Sequence, residues 1–204
     1  SGLNGTNGFV FNGSASGDFA GRYVSDAGDL NGDGLSDIII GAYFADTDDG
    51  ANAGEAYVVF GGQGNFQSLD LEDGTADGRI YLDQLTSDNG GNGSQGFVII
   101  GENAGDELGR NVRSAGDVNG DGFADIIVGA PKADPNGVGN AGASYVIFGK
   151  DTGFGAEINL DDIRSGDGSD GFVIDGINAF DFSGWSVSGA GDVNSDGVDD
   201  LIIG

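Results

Sequence analysis

The chain has 204 residues, a formal charge of −27, 43 Gly, two Pro, and no His, Cys or Met. Disulfides, thiolate or imidazole metal sites and a histidine base are therefore excluded, and so strong a negative charge repels nucleic acid and anionic lipid while attracting hard cations. Gly is far above its usual share, but without a G-x-y period the chain is not collagen-like.

Apolar residues form 38 % of the chain and are gathered into short runs such as YVVF, FVII and YVIF, a pattern of order rather than disorder. No apolar run approaches the roughly 18 residues needed to span a membrane, so membrane insertion is not expected. The absence of a leader and of an initiator Met suggests a mature segment or an excised piece. Asn-x-Ser/Thr triplets at Asn4, Asn12 and Asn92 are read as chance in so Asn- and Ser-rich a chain.

Three related units follow one another, at about 8–95, 96–170 and a shortened 171–204, within one segment spanning 1–204. The first opens with GFVFNGSASGDFAGRYVSDAGDL and reaches an acidic loop beginning at Asp29. The apolar run DIIIGA follows, then NAGEAYVVFGG. The connection Gly62–Gln95 accounts for the unequal spacing of the units, and its DNGGNGSQG stretch reads as a flexible surface insert. LDQL at Leu82–Leu85 is expected to make a single helical turn, and no longer stretch carries a convincing helical period.

The second unit gives four short strands, at Phe97–Ile100, Asn111–Ala115, Asp125–Gly129 and Ser144–Phe148, each bounded by Gly, Asn or Asp. LDDI at Leu160–Ile163 is again read as a single turn. The third unit repeats the pattern through GDVNSDGVDDLIIG. Four strands per unit of this length predict an all-β fold of β-propeller blades, each of four antiparallel strands, with the ring incomplete within this chain. A β-helix, which needs much shorter coils, is the distant alternative.

The acidic loops carry the chemistry. Counted from Asp29, oxygens fall at alternate positions on Asp29, Asn31, Asp33, the Leu35 carbonyl and Asp37. The second loop gives Asp117, Asn119, Asp121, the Phe123 carbonyl and Asp125. The third gives Asp192, Asn194, Asp196, the Val198 carbonyl and Asp200. Oxygen-only ligands on a tight loop with Gly at its sharp turn suit Ca²⁺, with Mg²⁺ second because it demands a more regular octahedron. Asp-Asn-Gly clusters also make ordinary turns. Yet carboxylates about 4 Å apart repel by about 1 kcal/mol even in water, and a plain turn requires only one. An EF-hand is excluded, because its twelfth position, a carboxylate in that motif, is here Ile40, Val128 and Ile203 inside apolar strands. Each loop should therefore join two antiparallel strands and take one Ca²⁺, three in all.

The core GDxNGDGxxDIIxGA, with Gly129-Ala130-Pro131 and the altered Gly41-Ala42-Tyr43, resembles the FG-GAP repeats of integrin α-subunit propellers and of bacterial secreted proteins. The FG element is looser, at Ala20-Gly21, Leu108-Gly109 and Ser183-Gly184, with Phe19 and Phe182 shifted by one residue. The resemblance implies a seven-bladed propeller with calcium in the hairpin between the first two strands of a blade. It implies a non-catalytic, extracellular or cell-surface segment used in adhesion, with a protein or glycan ligand. The alternatives are a scaffold part of a polysaccharide lyase or hydrolase, and a structural spacer. Ser195, standing where the other loops have Gly, is expected to matter little.

The remaining acidic clusters, DTDDG, DLEDGTADG and GDGSDG, read as solvated turns. Arg22, Arg110 and Trp185 share one slot, read as a blade-face packing position with a binding rim as the alternative, and Tyr57 and Tyr145 are read as core. An unfinished ring leaves open sheet edges, so either the natural protein is longer or copies associate through those edges to complete the circle.

Overall fold

In the computed structural model, which describes residues 2–204, each acidic loop is the tip of a β-hairpin. The first hairpin joins β2 (Tyr23–Gly28) to β3 (Asp37–Ala42), after a short β1 (Val10–Asn12). The remaining elements follow as β4 (Glu55–Val59), α1 (Gln63–Leu71), β5 (Arg79–Tyr81) and β6 (Gly96–Ile100). The second hairpin joins β7 (Asn111–Gly116) to β8 (Asp125–Ala130), and β9 (Ala143–Ile147), β10 (Glu157–Asn159), α2 (Leu160–Ser165) and β11 (Gly171–Asp175) follow. The chain closes on a third hairpin of β12 (Val187–Gly191) and β13 (Asp200–Ile203).

These strands form two complete antiparallel blades, β2-β3-β4-β6 and β7-β8-β9-β11, and the inner pair β12-β13 of a third. The fold is all-β and propeller-like, and its ring is not closed within these residues. The grouping of strands differs from the sequence expectation. Phe97–Ile100 does not join the three strands that follow it; it pairs with β4, Tyr57 opposite Val98, and so completes the blade before. Likewise β11 pairs with β9. Sequence unit and blade are thus offset by one strand, because the outer edge of each blade is finished by the start of the next unit. Outside β6, β10 adds in parallel with Glu157 opposite Val98, and β1 and β5 pair in the same way with Val10 opposite Arg79.

The connection Gly62–Gln95 is also more ordered than expected. It holds α1, β5 and a 3-10 turn at Leu82–Leu85. Phe66 and Leu69, three residues apart on α1, pack with Ile80, Leu82 and Leu85 onto Ile40, Tyr57 and Val59 of the first blade. Asp70, in a cluster read as a solvated turn, is instead buried and accepts from Gly78 N (2.7 Å) and Arg79 N (2.9 Å), tying helix to strand. LDQL does make the expected single turn, whereas LDDI extends into α2.

Alternation along the strands sends one set of side chains to each face. Ile39, Ala56 and Val58 of the first blade meet Val112, Ile126 and Val128 of the second, and this shared layer is the main core. Each fully buried aliphatic side chain contributes about 1.5–3 kcal/mol. Ile127 faces the third hairpin and is fully buried, as Ile39 is; their equivalent in β13, Ile202, is 62 % exposed. Tyr57 and Tyr145 are core residues, as expected. In the shared slot, the Arg110 guanidinium lies 4.0 Å from the Trp185 ring centre and 5.1 Å from that of Tyr43, and Arg22 donates to the Tyr43 hydroxyl at 2.9 Å.

Candidate metal centre

A one-residue bulge precedes each acidic loop, between Asp26 and Gly28, Ser114 and Gly116, and Gly189 and Gly191. The bulge swings the next residue, Asp29, Asp117 or Asp192, from the sheet into the loop. There its carboxylate gathers the turn. Asp29 accepts from Asp33 N (3.1 Å) and Gly34 N (2.9 Å). Asp117 accepts from Asp121 N (3.1 Å) and Gly122 N (2.9 Å), and Asp192 from Asp196 N (3.1 Å) and Gly197 N (3.0 Å). Asn31, Asn119 and Asn194 accept from the N–H two residues on, at 3.0, 3.0 and 2.8 Å. Asp33, Asp121 and Asp196 in turn accept from the N–H groups of Leu35, Phe123 and Val198.

The ninth position behaves differently. Asp37 and Asp125 are buried, and each uses its two oxygens as a clamp. Asp37 accepts from Leu30 N (2.9 Å) at the loop entrance and from Gly61 N (2.8 Å) beyond β4. Asp125 does the same with Val118 N (2.8 Å) and Gly149 N (2.9 Å). Asp200 accepts from Val193 N (2.8 Å) and from the Asn194 side chain. Burial pushes the Asp37 and Asp125 carboxyls up to about 6 against their clamping hydrogen bonds, with a further push from the acidic pairs Asp33–Asp29 and Asp121–Asp117. These charges therefore act on one another within each loop.

Among the described residues no three His, Cys, Asp or Glu side chains converge into a cluster that could hold a metal ion. As placed, the loop carboxylates are turned onto the N–H groups of their own turns. The donor set itself suits a hard cation: Asp and Asn oxygens and a main-chain carbonyl, with no N or S ligand and no Lys or Arg among the loop residues. The structure brings the first, third and fifth positions together around each turn and holds the ninth at the loop base.

Neighbouring hairpins stack. Ala124 N donates to Asp29 O (3.0 Å), Lys150 N to Leu30 O (2.8 Å), and Asp199 N to Asp117 O (2.9 Å). Asp199, which the sequence reading passed over, also accepts from Asp117 N at 3.0 Å. Ser195 departs from its expectation: its φ is 63°, the left-handed region that Gly32 and Gly120 occupy at the same position, so it carries backbone strain. Phe19, Glu107 and Phe182 share left-handed values of 56°, 57° and 53° just before the looser FG elements. Glu107 is buried there between Arg110 and Lys132, a pairing with no signal in the sequence.

Successive four-stranded blades, each with an acidic hairpin between its two inner strands, define a propeller of tandem repeats. Residues 22–59 and 114–147 match the FG-GAP repeat family, and the chain belongs to it. It is similar to integrin alpha pat-2 of Caenorhabditis elegans, 30 % identical over 188 residues that cover 92 % of this chain and 13 % of that protein. Integrin alpha-PS5 of Drosophila melanogaster is 29 % identical over 96 % of the chain and 16 % of its own length. A phosphatidylinositol-glycan-specific phospholipase D of Dictyostelium discoideum is 30 % identical over 59 % of the chain and 13 % of its own length. The chain thus spans less than a fifth of these relatives.

Proposed function

We propose that this chain is a calcium-stabilised propeller segment of a secreted or cell-surface protein, serving adhesion through a protein or glycan ligand. The observation that carries the reading is the threefold recurrence of one oxygen-only donor set at the tip of the same hairpin. Asp29, Asn31, Asp33, the Leu35 carbonyl and Asp37 would hold the first ion, with the equivalent sets 117–125 and 192–200 holding the other two. A bound Ca²⁺ would supply positive charge that offsets the mutual repulsion of the carboxylates. It would favour the folded chain by about 2.7 kcal/mol per site at a free concentration a hundredfold above Kd. Extracellular modules bind calcium at about 10⁻⁴–10⁻³ M, so saturation fits a location outside the cell. The likeness to integrin α chains supports adhesion and a cell-surface setting.

Calorimetric titration with Ca²⁺ tests this reading, with Asp33→Asn, Asp121→Asn and Asp196→Asn each expected to remove one of three equivalents. These carboxylates bond only within their own exposed loops, so the variants should still fold. A Tm unmoved by chelator, or a stoichiometry indifferent to all three substitutions, refutes it. The likeness to part of a phospholipase D favours one further reading, a non-catalytic scaffold within an enzyme. Self-association through the unfinished third blade belongs to the same proposal, motivated by the exposure of Ile202 on the sheet face that Ile39 and Ile127 bury in the other two blades.

A further inference from the structure

After its third strand each complete blade sends a connection back to a parallel strand beside the preceding outer strand, β5 beside β1 and β10 beside β6. The two connections match contact for contact. Phe154 stacks on Phe97 with ring centres 4.6 Å apart, and Phe66 lies 5.5 Å from Phe9 in the same way. Val98 N donates to Ala156 O at 2.9 Å, as Val10 N does to Gly78 O at 2.8 Å. Between these fixed points the lengths differ: twelve residues separate Phe66 from Arg79, and two separate Phe154 from Glu157.

The extra residues of the first connection include the second half of α1, and they fill a space. Leu69, fully buried, packs there in one cluster with Val59, Phe66, Ile80 and Leu85. The second connection has no helix before β10 and no counterpart of Leu69. The residues aligned with the four, Ile147, Phe154, Ile158 and Ile163, all line a cavity of about 170 Å³. Ile80 is fully buried in the first blade, whereas its counterpart Ile158 is only half-buried. An apolar cavity of about 150 Å³ takes up one benzene, so one branched aliphatic side chain fits this space. The mouth is acidic. Exposed Glu157, Asp162 and Asp170 line it against Lys150 alone, and that ammonium is already held by Asp170 at 2.6 Å.

We propose that the second-blade cavity receives a leucine side chain from a basic segment of a partner protein, standing where Leu69 stands in the first blade. Burial of the isobutyl group supplies the affinity, and the surplus of carboxylates at the mouth selects lysine or arginine beside it. None of the acidic-loop donors lines the cavity, so the inference stands even if those loops take no Ca²⁺.

The test measures binding of acetyl-Lys-Leu-Lys-amide to the full chain in calcium-saturated buffer, beside acetyl-Lys-Ala-Lys-amide and uncharged N-acetyl-leucinamide. The leucine tripeptide should bind at one equivalent, about tenfold or more tighter than either of the others. It should shift the methyl resonances of Ile147, Ile158 and Ile163. Ile158→Gln, at a half-buried position, should bring the leucine tripeptide down to the level of the alanine one. Replacing Gly155 and Ala156 by residues 67–78 should fill the cavity in cis, raise Tm and abolish binding. Because that graft adds four carboxylates, non-specific attraction of the lysines would survive it. No binding, equal binding of the leucine and alanine peptides, or binding undiminished by Ile158→Gln each overturns the proposal. So does N-acetyl-leucinamide binding as tightly as the tripeptide, since the mouth would then select no cation. Should the graft fail to fold, the peptide comparison and Ile158→Gln still decide.

Discussion

Gly41, near the end of β3, lies against the main chain of Gly109 in the next blade, so that a Cβ built on Gly41 would stand 2.0 Å from the Gly109 carbonyl oxygen. Gly129 meets Gly184 at the same 2.0 Å. The glycine of each GAP element thus touches the glycine of the following FG element, and blade spacing is set by two backbones in contact.

Gly41→Ala and Gly129→Ala should therefore force neighbouring blades apart and cost more than about 3 kcal/mol, toward the upper end of overpacking penalties. Gly64 makes the contrast. It sits inside α1 with open space around its Cα, so Gly64→Ala should stabilise the chain by about 1 kcal/mol through helix propensity. Urea melts of the three variants check both signs.

Ser195→Gly should raise stability by about 1 kcal/mol, because it relieves a left-handed residue. Gly120→Ser, at the equivalent position, should cost at least as much, since its Cβ would also press on Val198 at 3.1 Å. A result of equal sign for the two would contradict this account.

Asp37→Asn and Asp125→Asn should each destabilise the calcium-free chain by about 1–3 kcal/mol. Each carboxylate accepts a backbone N–H on both oxygens, and an amide would turn its NH₂ toward one of them. Asp200→Asn should cost less, because Asp200 accepts only one backbone N–H, from Val193, and that can pass to an amide oxygen. Chemical denaturation in chelator measures the difference.

In chelator, stability should fall as pH rises from about 4 to about 6. Asp37, Asp106 and Asp125 are pushed by burial to about 6 from the usual 3.8, so the folded chain holds their protons more tightly than the unfolded one. Below pH 4 both states are protonated and the folded state keeps the full benefit; above pH 6 the benefit is gone. Each group is worth up to about 3 kcal/mol, and self-repulsion of the net charge acts in the same direction. Saturating Ca²⁺ should reverse the trend, since protons then compete with the ion at the loops. Thermal melts across this range, with and without Ca²⁺, give the two slopes.

The elements of the sheets and the acidic turns were legible in the sequence because their causes are local. Alternating Asp and Asn with glycine at the turn wind a loop from its own N–H groups, and DIIIGA or DIIVGA can only be buried strand. The α1 helix left a weaker trace: Gly64 interrupts it, and its apolar face amounts to Phe66 and Leu69, which gain their meaning from Ile40 and Tyr57 in a distant strand.

What the sequence determined by itself was the threefold hairpin, its alternating Asp and Asn residues and the all-β blade. Tertiary structure alone decided which blade β6 completes and that Glu107 is buried between two cations. The physical reason is distance along the chain: hydrogen-bond partners within a turn are fixed by spacing, whereas strands of the same composition choose their edges, and charges their partners, only when the blades stack.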